Sequence, residues 1–338
     1  MIGMKTLPVL LGTAMAFLFT PACYRASRSH PLREAMATQP KSTKVVAVYV
    51  PWFGDRQHIS VGYSTDDPAV IKKQIMKAKE MGVDAFSVDW YGERRPFLDH
   101  SYAMIQKVAA EENFQVAIMY DETEEDNGHA TEEALAAMTK AYDAYLKPGA
   151  PGRKAYMEYQ GRPVIFIFPK RGHTDWNRVL EQLATWPSPP ILIYKDEPPP
   201  QYADAFDGSY AWVHPGKNGW MQDGSDWGKE YLDKFYERMA AKPGKITVGT
   251  IWPGFDDTKA SWSLDRHISE RCGKTFEDTL HVFQTYSQEN PMPYLMIATW
   301  NDYEEGTAIE RGISSCGAKT PPTVDRAKTA KTSPKPAS

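Results

Sequence analysis

The sequence predicts a single-domain (β/α)8 TIM barrel, and three observations predict it. Eight short apolar runs recur over residues 44–312, each followed by an amphipathic helical segment or a loop, the alternation of a parallel sheet covered by helices. Eight strands in roughly 270 residues suit a closed barrel better than an open sheet. No glycine-rich phosphate loop follows the first run, which counts against a nucleotide-binding open sheet.

Residues 45–50 are largely β-branched and stopped by Pro51, a buried first strand. Asp66 or Asp67 with Pro68 then caps a helix. Val70, Ile71, Ile75, Ala78 and Met81 share one of its faces, and Gly82 ends it. The second strand, 83–88, runs into Asp89-Trp90-Tyr91-Gly92. A helix over 99–112 turns Met104, Ile105, Val108 and Ala109 inward. The third strand, 114–119, ends in Tyr120-Asp121-Glu122 and precedes a longer helix over 131–146. Residues 163–168 and 191–194 are strands four and five, the latter ending in Lys195-Asp196-Glu197. A weaker sixth strand covers 208–213, ahead of His214 and a helix over 226–241. The seventh, 246–251, ends in Trp252-Pro253-Gly254-Phe255-Asp256-Asp257. A helix near 276–287 then leads to strand eight, 295–298, and to Trp300-Asn301-Asp302-Tyr303-Glu304-Glu305-Gly306.

Active sites of this fold lie at the C-terminal ends of the strands. A lone Asp after a strand is more often a helix cap than a catalyst, but here several strand ends carry a carboxylate beside a Trp or Tyr. Carboxylates converging among aromatic rings suit glycosidic-bond hydrolysis. One carboxylic acid protonates the leaving oxygen and a second carboxylate acts as base or nucleophile. Rings that bury one carboxyl keep it protonated while the other ionises. Asp302 and Glu305 are the expected pair, because a turn after strand eight directs residues three apart into one cleft. Glu304 is then expected as a solvated rim charge. Strand-end position also marks Trp52, Asp89, Asp121, Trp252, Asp256, Trp300 and Asn301 as substrate contacts.

Other chemistries find little support. Zinc sites want His or Cys, and neither HxxxH nor CxxC occurs; Asp66-Asp67 and Asp256-Asp257 are at most weak calcium ligands. GxSxG is absent. Lys195 is the only strand-end lysine, on strand five, whereas an isomerase or aldolase barrel wants a lysine or a phosphate loop near strands six to eight. No metal and no cofactor are expected, and a barrel that binds glycan without cleaving it is the second reading. The net charge of −4 gives no basic footprint for nucleic acid. Ten Trp and eighteen Tyr suit sugar faces, although rings also fill cores.

Lys5, an apolar run over 7–19 and the small residues before Cys23 form the pattern of a secretory signal over 1–22. The run is too short for a spanning helix, so the protein is expected to be exported: periplasmic, secreted or a cell-surface lipoprotein. A lipid anchor at Cys23 is the lesser alternative, since Thr20 and Pro21 match a lipoprotein site poorly. Residues 23–43 and 313–338 read as linker and disordered tail around the catalytic domain at 44–312. Cys272 and Cys316 form either one disulfide or two free thiols. A monomer is expected.

The motif over 299–310, TWNDYEEGTAIE, resembles the strand-eight signatures of glycoside hydrolase families 71 and 99. Trp300-Asn301-Asp302-Tyr303 is similar to the start of the WNDYGES-type sequence of family 71. Glu305-Gly306-Thr307 is similar to the end of NEWHEGT in family 99. Tyr49-Val50-Pro51-Trp52-Phe53, Ser87-Val88-Asp89-Trp90-Tyr91 and Pro253-Gly254-Phe255-Asp256-Asp257-Thr258 resemble the YYPWY, SWY and PGYDDT segments of family 99. The resemblance implies a (β/α)8 hydrolase of α-glucan or α-mannan, with Glu305 as general acid and Asp302 as general base or activator of water or of the sugar 2-hydroxyl. Asp at 302 agrees with family 71, where water attacks directly and the configuration inverts; family 99 has Glu there and retains. Tyr49, Trp90 and Glu122 fall where family 99 contacts sugar, and Trp252 is a further contact from position alone.

Overall fold

In the computed structural model, which describes residues 43–123, 128–170 and 173–314, eight parallel strands close into a barrel. They are β1 (Lys44–Tyr49), β2 (Ala85–Trp90), β3 (Gln115–Asp121), β4 (Arg162–Phe168), β5 (Ile191–Lys195), β6 (Gly208–Tyr210), β7 (Ile246–Ile251) and β8 (Tyr294–Ile297). Each pairs with the next in chain order, and β8 returns to β1 with Ile297 beside Ala47, so the barrel has no open edge. The layer of helices is α1 (Pro68–Met81), α2 (Pro96–Glu111), α3 (Ala130–Ala141), α4 (Trp176–Leu183), α5 (Lys229–Ala240) and α6 (Lys274–Glu289).

Local chemistry explains where elements begin and end. The Asp67 carboxylate accepts the Ala69 N–H at 2.8 Å and Pro68 occupies the first turn of α1. Gly82, at φ 89°, turns the chain out of the helix. The second helix starts at Pro96, three residues before the expected 99, because proline suits a first turn. The third stops as an α-helix at Ala141 and continues as a π turn over Tyr142–Leu146. No helix was expected at α4, whose eight residues are too few for a clear period; Asp175 caps it through the N–H groups of Asn177 and Arg178. Prolines 198–200 restrict the segment after β5 to the 3-10 turn Pro200–Ala205. The sixth strand is only three residues long, and Gly208 lets β7 approach closely: a Cβ there would lie 2.1 Å from the Ile246 carbonyl oxygen.

Both faces of the sheet are apolar, and alternation along each strand decides what faces the barrel interior. Val46, Val48, Ala85, Met119, Phe166 and Ile193 pack inside. Val45, Tyr49, Phe86, Trp90, Tyr120 and Ile167 pack outward against the helices. Truncating one interior ring such as Phe166 to Ala would cost about 3–5 kcal/mol. The same parity carries Asp89, Asp121 and Lys195 to the inward side at the strand ends, and Trp90 to the outward side.

Among the described residues no helix follows β8. The chain instead laces across the end of β1. Trp300 N–H donates to the Val48 carbonyl at 2.6 Å. The Asn301 side chain accepts the Val50 N–H at 2.8 Å and donates to its carbonyl at 3.0 Å. Asn301 is fully buried, so Asn301→Ala leaves two backbone groups without partners. Its expected cost is about 2–4 kcal/mol, read as a lowered urea midpoint.

No helix among the described residues is long and apolar enough to cross a membrane. The expected leader, Cys23 with its possible lipid anchor, nearly all of the linker, the tail beyond Ser314 and Cys316 lie outside the described residues. Cys272 is disulfide-bonded.

Candidate active site

A cavity of about 360 Å³ opens where the strand ends predict it. Val48, Val50, Asp89, Asp121, Phe168 and Thr299 line its floor and walls from the strand ends. Trp52, His58, Tyr91, Lys170, Trp212 and Trp262 reach it from loops, and Asp302 and Glu305 complete it.

The turn after β8 builds the acidic wall. Thr299 Oγ1 accepts the Asp302 N–H at 2.8 Å, and the Asp302 carbonyl accepts the Thr307 N–H at 3.0 Å. Asp302 Oδ1 accepts the N–H groups of Glu304 at 3.0 Å and Glu305 at 2.9 Å, so the carboxylate caps its own turn. Gly306, at φ 65°, closes the turn where a Cβ would sit 3.1 Å from the Asp256 nitrogen. Glu305 Oε1 accepts the indole N–H of Trp262 at 2.9 Å. Trp262 rides on a loop tied down by the fully buried Asp257, which pairs with Arg266 at 2.7 Å and accepts the Leu264 and Arg266 N–H groups.

Burial pushes the carboxyls of Asp302 and Glu305 above the usual carboxylate range, and the charge of Glu305 pushes Asp302 further. The two backbone N–H groups on Asp302 oppose the rise by favouring its ionised form. The Trp262 N–H does the same for Glu305. Both carboxyls are therefore harder to ionise than an Asp or Glu in water. Trp262→Phe keeps the ring but removes the donor, so the Glu305 carboxyl rises further. The alkaline limb of the pH–rate profile should then move to higher pH, and an unmoved limb would sever Trp262 from the acid.

The other wall is also acidic but braced. Asp89 accepts the Tyr91 hydroxyl at 3.0 Å, and burial followed by the charge of Asp121 pushes its carboxyl up. Asp121 lies 3.6 Å from the Lys170 ammonium, and its carbonyl accepts from Arg94. Glu122 accepts the Trp176 indole N–H and the Lys170 N–H, which ties β3 to the chain after β4. Trp52 stacks on His58, centroids 4.8 Å apart and planes 10° apart. Among the described residues, the indole N–H of Trp52 and Oδ1 of Asp89 are buried in the cavity wall without a hydrogen-bond partner. A polar ligand would satisfy both.

Asp302, Glu305, Trp52, Asp89, Asp121 and Glu122 thus meet at one cavity, and six other expected residues do not. Tyr49 is buried on the helix side, its hydroxyl donating to Gln74 at 2.6 Å. Trp90 packs under α2 with its N–H on Asp99 at 3.0 Å. Trp252 is buried with its N–H on the Trp227 carbonyl, and Trp300 lies against Phe86 at 5.3 Å. These four rings fill the layer between barrel and helices, where sugar has no access. Asn301 clamps β1, and Asp256 caps Thr258 rather than facing the cavity. Glu304 is not a rim charge either: it is 2% exposed, accepts from His58 Nδ1 at 2.7 Å and from the Ile59 N–H at 3.1 Å, and pins that loop over the cavity. His58, Arg94, Lys170 and Trp262 went unforeseen because they sit on loops without a period. Trp212 had a signal, since it continues the inward parity of Tyr210.

A (β/α)8 barrel whose strand-end cavity gathers two burial-raised carboxyls at the end of β8 among aromatic rings is the architecture of a glycoside hydrolase. The sequence model of glycosyl hydrolase family 71 matches residues 57–327, and the chain belongs to that family of glycoside hydrolases. Among solved structures, the family 99 endo-α-mannosidase of Bacteroides thetaiotaomicron in complex with bis-tris propane is similar at a TM-score of 0.61 and 19% identity, covering 79% of this chain and 86% of that one. Another structure of that endo-α-mannosidase gives a TM-score of 0.58 at 18% identity, covering 79% and 87%. Both likenesses are likenesses of fold. No curated protein sequence matches the chain.

Proposed function

We propose that the protein is an exported hydrolase of α-linked glycans in which Glu305 protonates the leaving oxygen and Asp302 draws a proton from the attacking water. The observation that carries this reading is the placement of both carboxyls, each raised by burial, on one wall of the cavity. Family membership supports cleavage of a glycosidic bond, and the fold shared with an endo-α-mannosidase supports an α-linkage. Asp302 is shorter than a glutamate and held back by its two backbone N–H bonds, which leaves space for a water and favours inversion. Trp52, Trp262 and Trp212 offer ring faces to the sugar, and Asp89, Asp121 and Glu122 offer acceptors to its hydroxyls. Export rests on the residue pattern of 1–22, and the bonded Cys272 suits an oxidising compartment.

The test is reducing-sugar release from a panel of α-glucans and α-mannans set against β-glucans and β-mannans. Release from an α-linked chain, with the β-linked set untouched, is expected. Release from β-linked chains alone would overturn the reading.

A further inference from the structure

His58 lines the cavity, and the hydrolytic chemistry leaves it without a part. Two tight turns bring it there: the Asp55 N–H donates to the Trp52 carbonyl at 3.0 Å, and the His58 N–H to the Asp55 carbonyl at 3.3 Å. Gly54 permits the first turn at φ 109°, where a Cβ would lie 2.1 Å from the Ser64 hydroxyl oxygen. The imidazole is then held on three sides. It stacks on Trp52, meets Trp262 edge to face at 6.0 Å and 70°, and gives Nδ1 to the buried Glu304 carboxylate at 2.7 Å. Glu304 stands where WNDYGES of family 71 has Gly and NEWHEGT of family 99 has His, so the carboxylate that holds the ring departs from both patterns.

A carboxylate only accepts, so the proton of this contact sits on Nδ1. The other ring nitrogen, Nε2, has no hydrogen-bond partner among the described residues and stays open to solvent. A ring fixed in tautomer and orientation, with one polar atom left over at a cavity, is a preorganised contact: little side-chain freedom is lost when a ligand arrives. Its place relative to the chemistry is fixed as well. The Glu304 N–H is bonded to Asp302, and Trp262 joins the imidazole to Glu305.

We propose that His58 is a specificity-determining contact whose Nε2 takes a hydrogen bond from a hydroxyl of the bound glycan, and that Glu304 is the positioning residue that aims it. The glycan is thereby set in register with Asp302 and Glu305.

The inference rests on the glycan reading for the nature of the ligand, but its test measures binding and not turnover. Full-length protein carrying Glu305→Gln, in which chains outlast the measurement, is titrated calorimetrically with maltotriose, nigerotriose, and α-1,3- and α-1,6-linked mannotriose. Two substitutions share one loss. His58→Phe keeps a ring between Trp52 and Trp262, and His58→Asn keeps an amide donor for Glu304; both lack Nε2. Each should weaken the tightest-binding trisaccharide about tenfold, the worth of one hydrogen bond. Nitrogen-15 NMR supplies a check that needs no change at His58: the trisaccharide should move the Nε2 resonance. The role of Glu304 is read from the tautomer. In Glu304→Gln the amide oxygen keeps the Ile59 N–H and its NH2 faces Nδ1, so the imidazole proton should move from Nδ1 to Nε2.

Parent-like affinity in either His58 variant, or an Nε2 resonance that the ligand leaves in place, overturns the contact. A proton on Nε2 in the parent removes Glu304 as the group that aims it. A tenfold loss in a protein that hydrolyses no α-glycan would remove the enzyme reading alone; hydrolysis with parent-like affinity in both variants would remove the contact alone. Binding of none of the four trisaccharides would remove both.

Discussion

Replacing Glu305 with Gln is expected to lower kcat/KM on an α-linked polysaccharide by about 10²–10⁴-fold, the usual contribution of a positioned general acid. The amide keeps an oxygen for the Trp262 N–H, so the side chain stays in place and the fold is unaffected. What it lacks is the proton. An aryl α-glycoside with a dinitrophenol leaving group needs no proton, so the variant should cleave it nearly as fast as the parent. The sign of the pH effect follows from the same role. The acid works while protonated, so the parent loses activity as pH rises through the raised Glu305 pKa, and the variant should lose that alkaline limb. Equal losses on the polysaccharide and on the activated aryl glycoside would remove Glu305 from the acid role.

Asp302→Asn should cost a similar 10²–10⁴-fold, this time on both kinds of substrate, because an amide takes no proton from water. Its structural expectation differs from that of Asp302→Ala. The Asn oxygen still accepts the Glu304 and Glu305 N–H groups, whereas Ala leaves both donors without a partner. Each such buried donor costs about 1–3 kcal/mol. Urea unfolding should therefore show Asp302→Asn close to the parent and Asp302→Ala clearly weakened, with both inactive. An Asp302→Asn protein retaining a fifth of the parent rate would exclude Asp302 as the base.

The barrel was legible because eight apolar runs and their flanking caps repeat a local pattern that needs no distant partner. The pair at the end of β8 was legible for a related reason: its geometry is set within one turn, from Thr299 to Thr307. The parity of the strands was harder. Their inner and outer faces are equally apolar, so nothing in Ser87-Val88-Asp89-Trp90 says which residue enters the barrel; the closed sheet turns Asp89 in and Trp90 out. Tyr49 fails by the same rule. Long-range partners were invisible too. Glu304 reads as a surface charge until His58, 246 positions away, is folded against it. Trp262 gains its role only when Asp257 and Arg266 fold their loop back over Glu305.

One measurement tests the central claim, that Glu305 and Asp302 act across a water on an α-linkage. Proton NMR can follow the anomeric signals of the sugar released in the first minutes from an α-linked oligosaccharide that the protein cleaves. The β-anomer should appear first and the α-anomer only later, by mutarotation. An α-anomer appearing first would contradict direct attack by a water held on Asp302.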